Sequence, residues 1–173
     1  AWAVAYLQTT IETDRIAHAT LMTGPAEIGK RHLALEYAAA LLCRNETVRP
    51  CGACRDCAEA LAGGHADLSL VEPDNGRIKI DQVRQIQHEL SLRPHSGRWR
   101  VCIVTDFETT TTQAANALLK LLEEPPPYAV LLLIALDPGL LLPTIVSRCR
   151  LLPLRPVPTQ EIAQALEDRY QVE

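Results

Sequence analysis

Gly24-Pro25-Ala26-Glu27-Ile28-Gly29-Lys30-Arg31 is the stretch that decides the fold. Its first seven residues fit G-x-x-x-x-G-K, a loop whose glycines let backbone N–H groups turn inward toward an anion. The lysine adds a point charge for the outer phosphates, and the helix that follows offers its positive end. The flanks supply the context such a loop needs. Ala19–Thr23 is a short apolar run that reads as a strand entering the loop. Lys30–Leu42 carries Leu33, Ala34, Tyr37, Ala38, Leu41 and Leu42, the spacing of a helix with one buried face.

Further out, helices and strands alternate. A helix is expected from Trp2 to Thr13, with Val4, Leu7 and Ile11 on one side. Strands are expected at Asp67–Glu72, Arg100–Thr105, Tyr128–Ala135 and Leu151–Leu154. Asp81 is read as the cap of a helix bearing Val83, Ile86 and Leu90. Thr112, within the run Thr109–Thr112, is read as the cap of another, which Pro125-Pro126-Pro127 ends. Pro156 and Pro158 mark a linker, and Thr159 opens a last helix through Ile162 and Leu166. Strands that are apolar throughout and separated by helices predict an α/β fold, a parallel sheet covered on both faces, with ligands at the carboxyl ends of its strands.

Composition narrows the function. With 173 residues, 47% hydrophobic and 22% charged, the chain can bury a core of its own. A net charge of −4 excludes a strongly basic, self-sufficient nucleic-acid binder but leaves shared contact with DNA open. The apolar runs 129–136 and 140–143 are broken by Asp137, Pro138 and Gly139 and fall short of the roughly 20 residues of a membrane span. No secretion signal is visible at the start. A chain that begins without Met and stops within a helical pattern at Gln171-Val172-Glu173 is expected to be a piece of a longer protein.

The position after the lysine is the informative one. A nucleotide hydrolase needs a Ser or Thr hydroxyl there to hold Mg²⁺. Arg31, a cation, cannot ligate one. The second magnesium ligand should be an Asp at the end of a later buried strand, followed by a Glu. Here Val101-Cys102-Ile103-Val104 is followed by Thr105-Asp106, although a shift of register would put Asp106 in the ligand position. Both departures point to a kept fold with lost hydrolysis. Nucleotide binding is expected to be weak or absent. The alternative is binding without turnover through Lys30 and the backbone.

Six cysteines divide into a cluster and two single residues. Cys43, Cys51, Cys54 and Cys57 run C-x7-C-x2-C-x2-C, with Gly52 freeing the backbone between them. Four thiolates and no open position predict a structural zinc site, not a catalytic one. Arg44, Arg49 and Arg55 would suit a dianionic centre or simply form a solvated face. His65 is a substitute ligand on paper and is read as a surface or loop residue. Cys102 reads as core, and Cys149 as packing beside a basic pair.

Several strings now combine. Arg15-Ile16-Ala17-His18-Ala19, the phosphate loop, the cysteine insert and Gly64-His65-Ala66-Asp67-Leu68 are four of them. Asn116-Ala117-Leu118-Leu119-Lys120-Leu121-Leu122-Glu123-Glu124-Pro125-Pro126 and Leu142-Pro143-Thr144-Ile145-Val146-Ser147-Arg148-Cys149 complete the set. Together they resemble the clamp-loader subunits of bacterial DNA polymerase III over nearly the whole chain. The resemblance implies a P-loop (AAA+) nucleotide-binding-like domain over 1–153, with the zinc insert at 43–57, and the start of a helical lid domain over 154–173. In that family the gamma/tau type is the ATPase, and the delta prime type has a decayed nucleotide site. Arg31 and Thr105 depart from the ATPase pattern as the latter does.

The resemblance implies a cytoplasmic, non-hydrolysing subunit that helps load the sliding clamp during replication. Its partners would be the gamma/tau ATPase and delta, with the clamp reached indirectly and primed DNA through the assembled complex. Gly24, Gly29 and Lys30 would be the remnant of the nucleotide site. The family's Ser-Arg-Cys motif falls on Ser147, Arg148 and Cys149, and the resemblance makes Arg148 an arginine finger acting in trans on a neighbour's ATP. Two other readings stay open. One is an active gamma/tau-type ATPase, which Mg²⁺-ATP binding despite Arg31 would reveal. The other is a zinc-dependent DNA-binding module, which the acidic charge disfavours.

Overall fold

A computed structural model of the chain describes residues 2–170. Its elements are α1 (Trp2–Glu12), β1 (Ala19–Thr23), α2 (Lys30–Leu42), α3 (Arg55–Leu61), β2 (Leu68–Val71), α4 (Ile80–Ser91), β3 (Arg100–Val104), α5 (Thr112–Glu123), β4 (Ala129–Ala135), α6 (Pro143–Val146), β5 (Arg150–Pro153) and α7 (Thr159–Tyr170). The strands form one sheet in the order β2-β3-β4-β1-β5, every pair parallel. No described helix is long and apolar enough to cross a membrane.

The apolar strands are buried because side chains alternate between two covered faces. From β4, Val130, Leu132 and Ile134 pack with Leu7 of α1, Tyr37 of α2 and Ala60 of α3. Leu131 and Leu133 point the other way, onto Ile86 of α4, Leu118 of α5 and Ile145 of α6. The helix after β1 therefore lies on one face and the helix after β3 on the other. Because β1 and β4 are neighbours, a crevice opens between their carboxyl ends. The phosphate loop leaves β1 at that crevice.

Two caps fall one or two residues earlier than the sequence suggests. Ile78 is fully buried and held extended, donating to Thr109 O at 3.4 Å and accepting from Thr111 N at 3.1 Å. That pairing keeps 110–111 out of helix, so Thr111, not Thr112, caps α5, its hydroxyl accepting from Ala114 N at 3.3 Å. The same anchor lets α4 begin at Ile80, capped by Lys79, whose backbone N donates to Gln82 Oε1 at 3.0 Å; Asp81 sits inside the first turn. The two short helices α3 and α6 have too few turns to leave a period in the sequence. The side chains of Ile162 and Leu166, and residues 171–173, lie outside the described residues.

Candidate functional site

The root of the phosphate loop is fixed by Gly24, whose N–H donates to Leu136 O at 3.0 Å just past β4. Gly24 has φ +145°, and a Cβ there would stand 2.4 Å from Leu154 O and 2.8 Å from Ile28 Cδ1. Gly29 is left-handed, with φ +87°, and caps α2 with no side-chain acceptor. The first helical N–H groups are thus left to whatever enters the loop. Lys30 is only 8% exposed, and its Nζ donates to Gly24 O at 2.7 Å and Pro25 O at 2.5 Å. Burial lowers the lysine's pKa, against the opposing charges of Glu108 and Asp106. The ammonium is turned onto carbonyls of its own loop.

A cleft of about 640 Å³ opens beside the loop, lined among others by Lys30, Arg31, Glu72, Thr105, Asp106 and Leu136. Arg31 Nη2 lies 2.8 Å from Glu72 Oε1, directly beyond β2. β3 ends at Val104, so Thr105 is the first residue past the sheet; it is buried and donates its N–H to Val71 O at 3.0 Å. Asp106 follows, exposed and left-handed at φ +46°. A guanidinium thus stands where the sequence motif expects a magnesium-binding hydroxyl, and Thr105 and Asp106 both line the same cleft.

The cysteine insert grows from the end of α2. Cys43 is the C-cap of α2, Cys54 is the N-cap of α3, and Cys57 stands in the first turn of α3. Gly52, at φ +68°, turns the chain between Cys51 and Cys54. The sulfurs of Cys43, Cys51, Cys54 and Cys57 all lie within 4.8 Å of one another, and the Cys43–Cys54 and Cys51–Cys57 pairs are each 4.0 Å apart. A tetrahedral ion with about 2.3 Å metal–sulfur bonds sets its sulfurs roughly 3.8 Å apart, so this set could hold one metal ion. Backbone N–H groups of Ala53 and Cys54 lower the Cys51 pKa, the usual help given to a thiolate, while burial raises that of Cys57.

The remaining polar residues around the insert do not join the sulfur set. His65 lies in the loop before β2, as one of its two readings had it, but it is 4% exposed and not at the surface. The Gly63-Gly64 turn folds it beneath α3. There its Nδ1 accepts from Asp67 N at 3.0 Å and its Nε2 lies 3.3 Å from Asp56 Oδ1. Arg44 pairs with Asp56 at 3.0 Å, Arg55 with Glu59 at 2.6 Å, and Arg49 donates to Asn45 O at 2.5 Å. Cys102 is fully buried in β3, and Cys149 is half-buried with its thiol pushed up to about 12 by burial.

Ser147 and Arg148 stand at the other end of the sheet. Arg150 opens β5 opposite Thr20, whereas the phosphate loop follows Thr23. At about 3.3 Å per residue, some 13 Å of strand separates the two levels, so Arg148 cannot serve the loop of its own chain. Its Nη1 donates to Thr144 O at 3.0 Å, and its Nη2 lies 2.8 Å from Glu123 Oε1. The structure therefore splits the predicted residues into three groups: loop, sulfur cluster and far edge.

The sequence profile of the family described as "DNA polymerase III, delta subunit" matches residues 1–158. The chain belongs to that family. Among its relatives, the DNA polymerase III subunit delta' of Bacillus subtilis is 39% identical over 163 residues, covering 94% of this chain and 48% of the relative. The subunit tau/gamma of Haemophilus influenzae is 32% identical over 164 residues, 94% of this chain and 24% of that protein. The chain thus spans at most about half the length of these relatives. A DNA polymerase III gamma subunit-related protein of Thermotoga maritima superposes with a TM-score of 0.69 at 29% identity, over 94% of this chain and 49% of that one. RuvB of the same organism, at 16% identity and a TM-score of 0.56, shares the fold alone, which is that of AAA+ proteins.

The contacts of three residues left no signal in the sequence. Glu72 meets Arg31 only because of the strand order, and Glu123 meets Arg148 only because α5 and α6 cover the same face. Asp67, 1% exposed, accepts from His95 N, Ser96 N and Ser96 Oγ, residues nearly thirty positions away.

Proposed function

We propose that the chain is the amino-terminal part of a delta-prime-type clamp-loader subunit that does not hydrolyse ATP itself. In this reading residues 1–153 form the nucleotide-binding-like domain and 154–173 begin the lid. The observation that carries it is Arg31 in place of the magnesium-binding hydroxyl, ion-paired to Glu72 at 2.8 Å beside a loop whose lysine is turned inward. A cation at that position repels Mg²⁺ and cannot ligate it, and the missing hydroxyl removes a ligand. Relatives named delta' and tau/gamma support membership of a cytoplasmic loader assembly that includes the ATPase subunit and delta. Through that assembly it would reach the clamp and primed DNA.

Two further roles belong to the same proposal. Cys43, Cys51, Cys54 and Cys57 hold a structural zinc, since four thiolates leave no position for a substrate. Arg148, supported by Ser147, reaches out of the molecule to stabilise charge on the phosphate transferred in a neighbouring subunit. The test is direct. The purified full-length protein should show negligible ATPase activity alone and should assemble with the ATPase subunit. Magnesium-dependent turnover that Lys30→Ala abolishes would instead establish the gamma/tau-type reading, to which the 32% identity with a tau/gamma subunit lends weight.

A further inference from the structure

Arg148 does not hang free. Its guanidinium carries five N–H donors. Nη1 is spent on Thr144 O at 3.0 Å, with Ser147 Oγ at 3.5 Å, and Nη2 meets Glu123 Oε1 at 2.8 Å. The Nη2 contact is an ion pair outside hydrogen-bond geometry, and Nε has no hydrogen bond among the described residues, so Nε–H and Nη2–H stay available as two donors suited to one phosphate group. The tethers come from two elements packed into the same core layer. Glu123 ends α5, next to Leu122, which is 3% exposed, and Thr144 lies in α6 beside the fully buried Ile145. The position of the guanidinium is therefore set by the body of the domain and not by its own flexible stem.

We propose that Glu123 is a positioning residue for Arg148: its carboxylate holds the guanidinium in the orientation from which it contacts a phosphate bound by the adjacent subunit. The proposal rests on the reading of Arg148 as a trans-acting arginine. The physical reason is that an arginine stabilises transition-state charge only to the extent that it is already in place when the charge develops. A carboxylate also draws off some of the guanidinium's positive charge. The geometry favours orientation as the dominant effect, because Glu123 is half exposed and its field is softened by water, whereas the place that it and Thr144 O together give the guanidinium is not.

The experiment uses the full-length protein assembled with its ATPase subunit, and reads assembly, kcat and KM for ATP. Arg148→Ala should lower kcat strongly. Glu123→Ala should lower kcat about tenfold with KM within about twofold and assembly unchanged, the loss expected from a misplaced group. Glu123→Gln, which keeps an oxygen acceptor at the same reach, should restore kcat to within about twofold of the native value. Glu123→Ala combined with Arg148→Ala should be no slower than Arg148→Ala alone. If Arg148→Ala slows the loader while Glu123→Ala leaves or raises kcat, or if the two losses add, the role of Glu123 is overturned and the finger stands. An unchanged rate in Arg148→Ala overturns the finger, and Glu123 falls with it.

Discussion

Two glycines of one loop differ in what holds them as glycine. Gly24 and Gly29 both lie at positive φ, but an added Cβ at Gly29 meets nothing within 4 Å, whereas at Gly24 it would meet the backbone oxygen of Leu154 at 2.4 Å. Gly29→Ala should therefore lose only the left-handed penalty, about 1–2 kcal/mol. Gly24→Ala adds a collision with backbone that cannot turn aside and should lose at least twice as much. Chemical denaturation of the two variants checks this, and equal losses would mean that the close approach to Leu154 is not rigid. The neighbouring Arg31–Glu72 pair behaves differently, because both side chains are more than half exposed. Arg31→Ala should shift stability by no more than about 1 kcal/mol, measured the same way. Such a result would show that the pair does not decide how firmly the domain folds.

At the scale of elements, the long apolar strands and helices were legible because burial on two faces leaves a period that local sequence records. α2 matches its expected span residue for residue, as does β1. The loop and the four cysteines were legible because their chemistry fixes residue types at fixed spacing. Contacts between distant segments were not, and Asp67 is the plainest instance. It sits just before β2 and accepts from His95 and Ser96 in the segment leading to β3, with Arg100 Nη1 at 3.3 Å. Burial opposes its charge, but the N–H groups of His95 and Ser96 outweigh that, and its pKa is lowered. A folded pKa below the unfolded one gives stability that is complete above about pH 4 and lost as pH falls through the folded value. Asp67→Asn should cost about 2–3 kcal/mol at neutral pH, because one amide cannot accept from all these donors. It should also flatten the acid limb below about pH 4. Urea titrations across pH check this, and an acid limb of native steepness in the variant would remove Asp67 as its source.

The whole molecule is a two-faced sheet with the cysteine insert fastened to one end of α2, and the two parts should come apart in a defined order. The sheet layers draw on Val101, Ile103, Val130 and Leu132, far from the sulfurs, while the insert shares with them the end of α2 and the buried Ala60 of α3. A chain of one ion pair, Arg44 to Asp56, and two hydrogen bonds, Asp56 to His65 to Asp67, ties α3 to the start of β2. If the insert holds zinc as proposed, removing it with a chelator should loosen residues 43–57 and leave the sheet standing, since the sheet has two core layers of its own. Thiol reactivity resolves the order. In the zinc-loaded protein Cys43, Cys51, Cys54 and Cys57 should be protected by coordination. After chelation all four should react under native conditions, while Cys102, fully buried in β3 with its thiol pKa raised by burial, should stay silent until the sheet unfolds. A mass-resolved labelling experiment distinguishes the outcomes. Cys102 reacting together with the other four would mean that the metal supports the whole domain. Four thiols already free before chelation, with no zinc in a metal assay, would remove the tetrathiolate site.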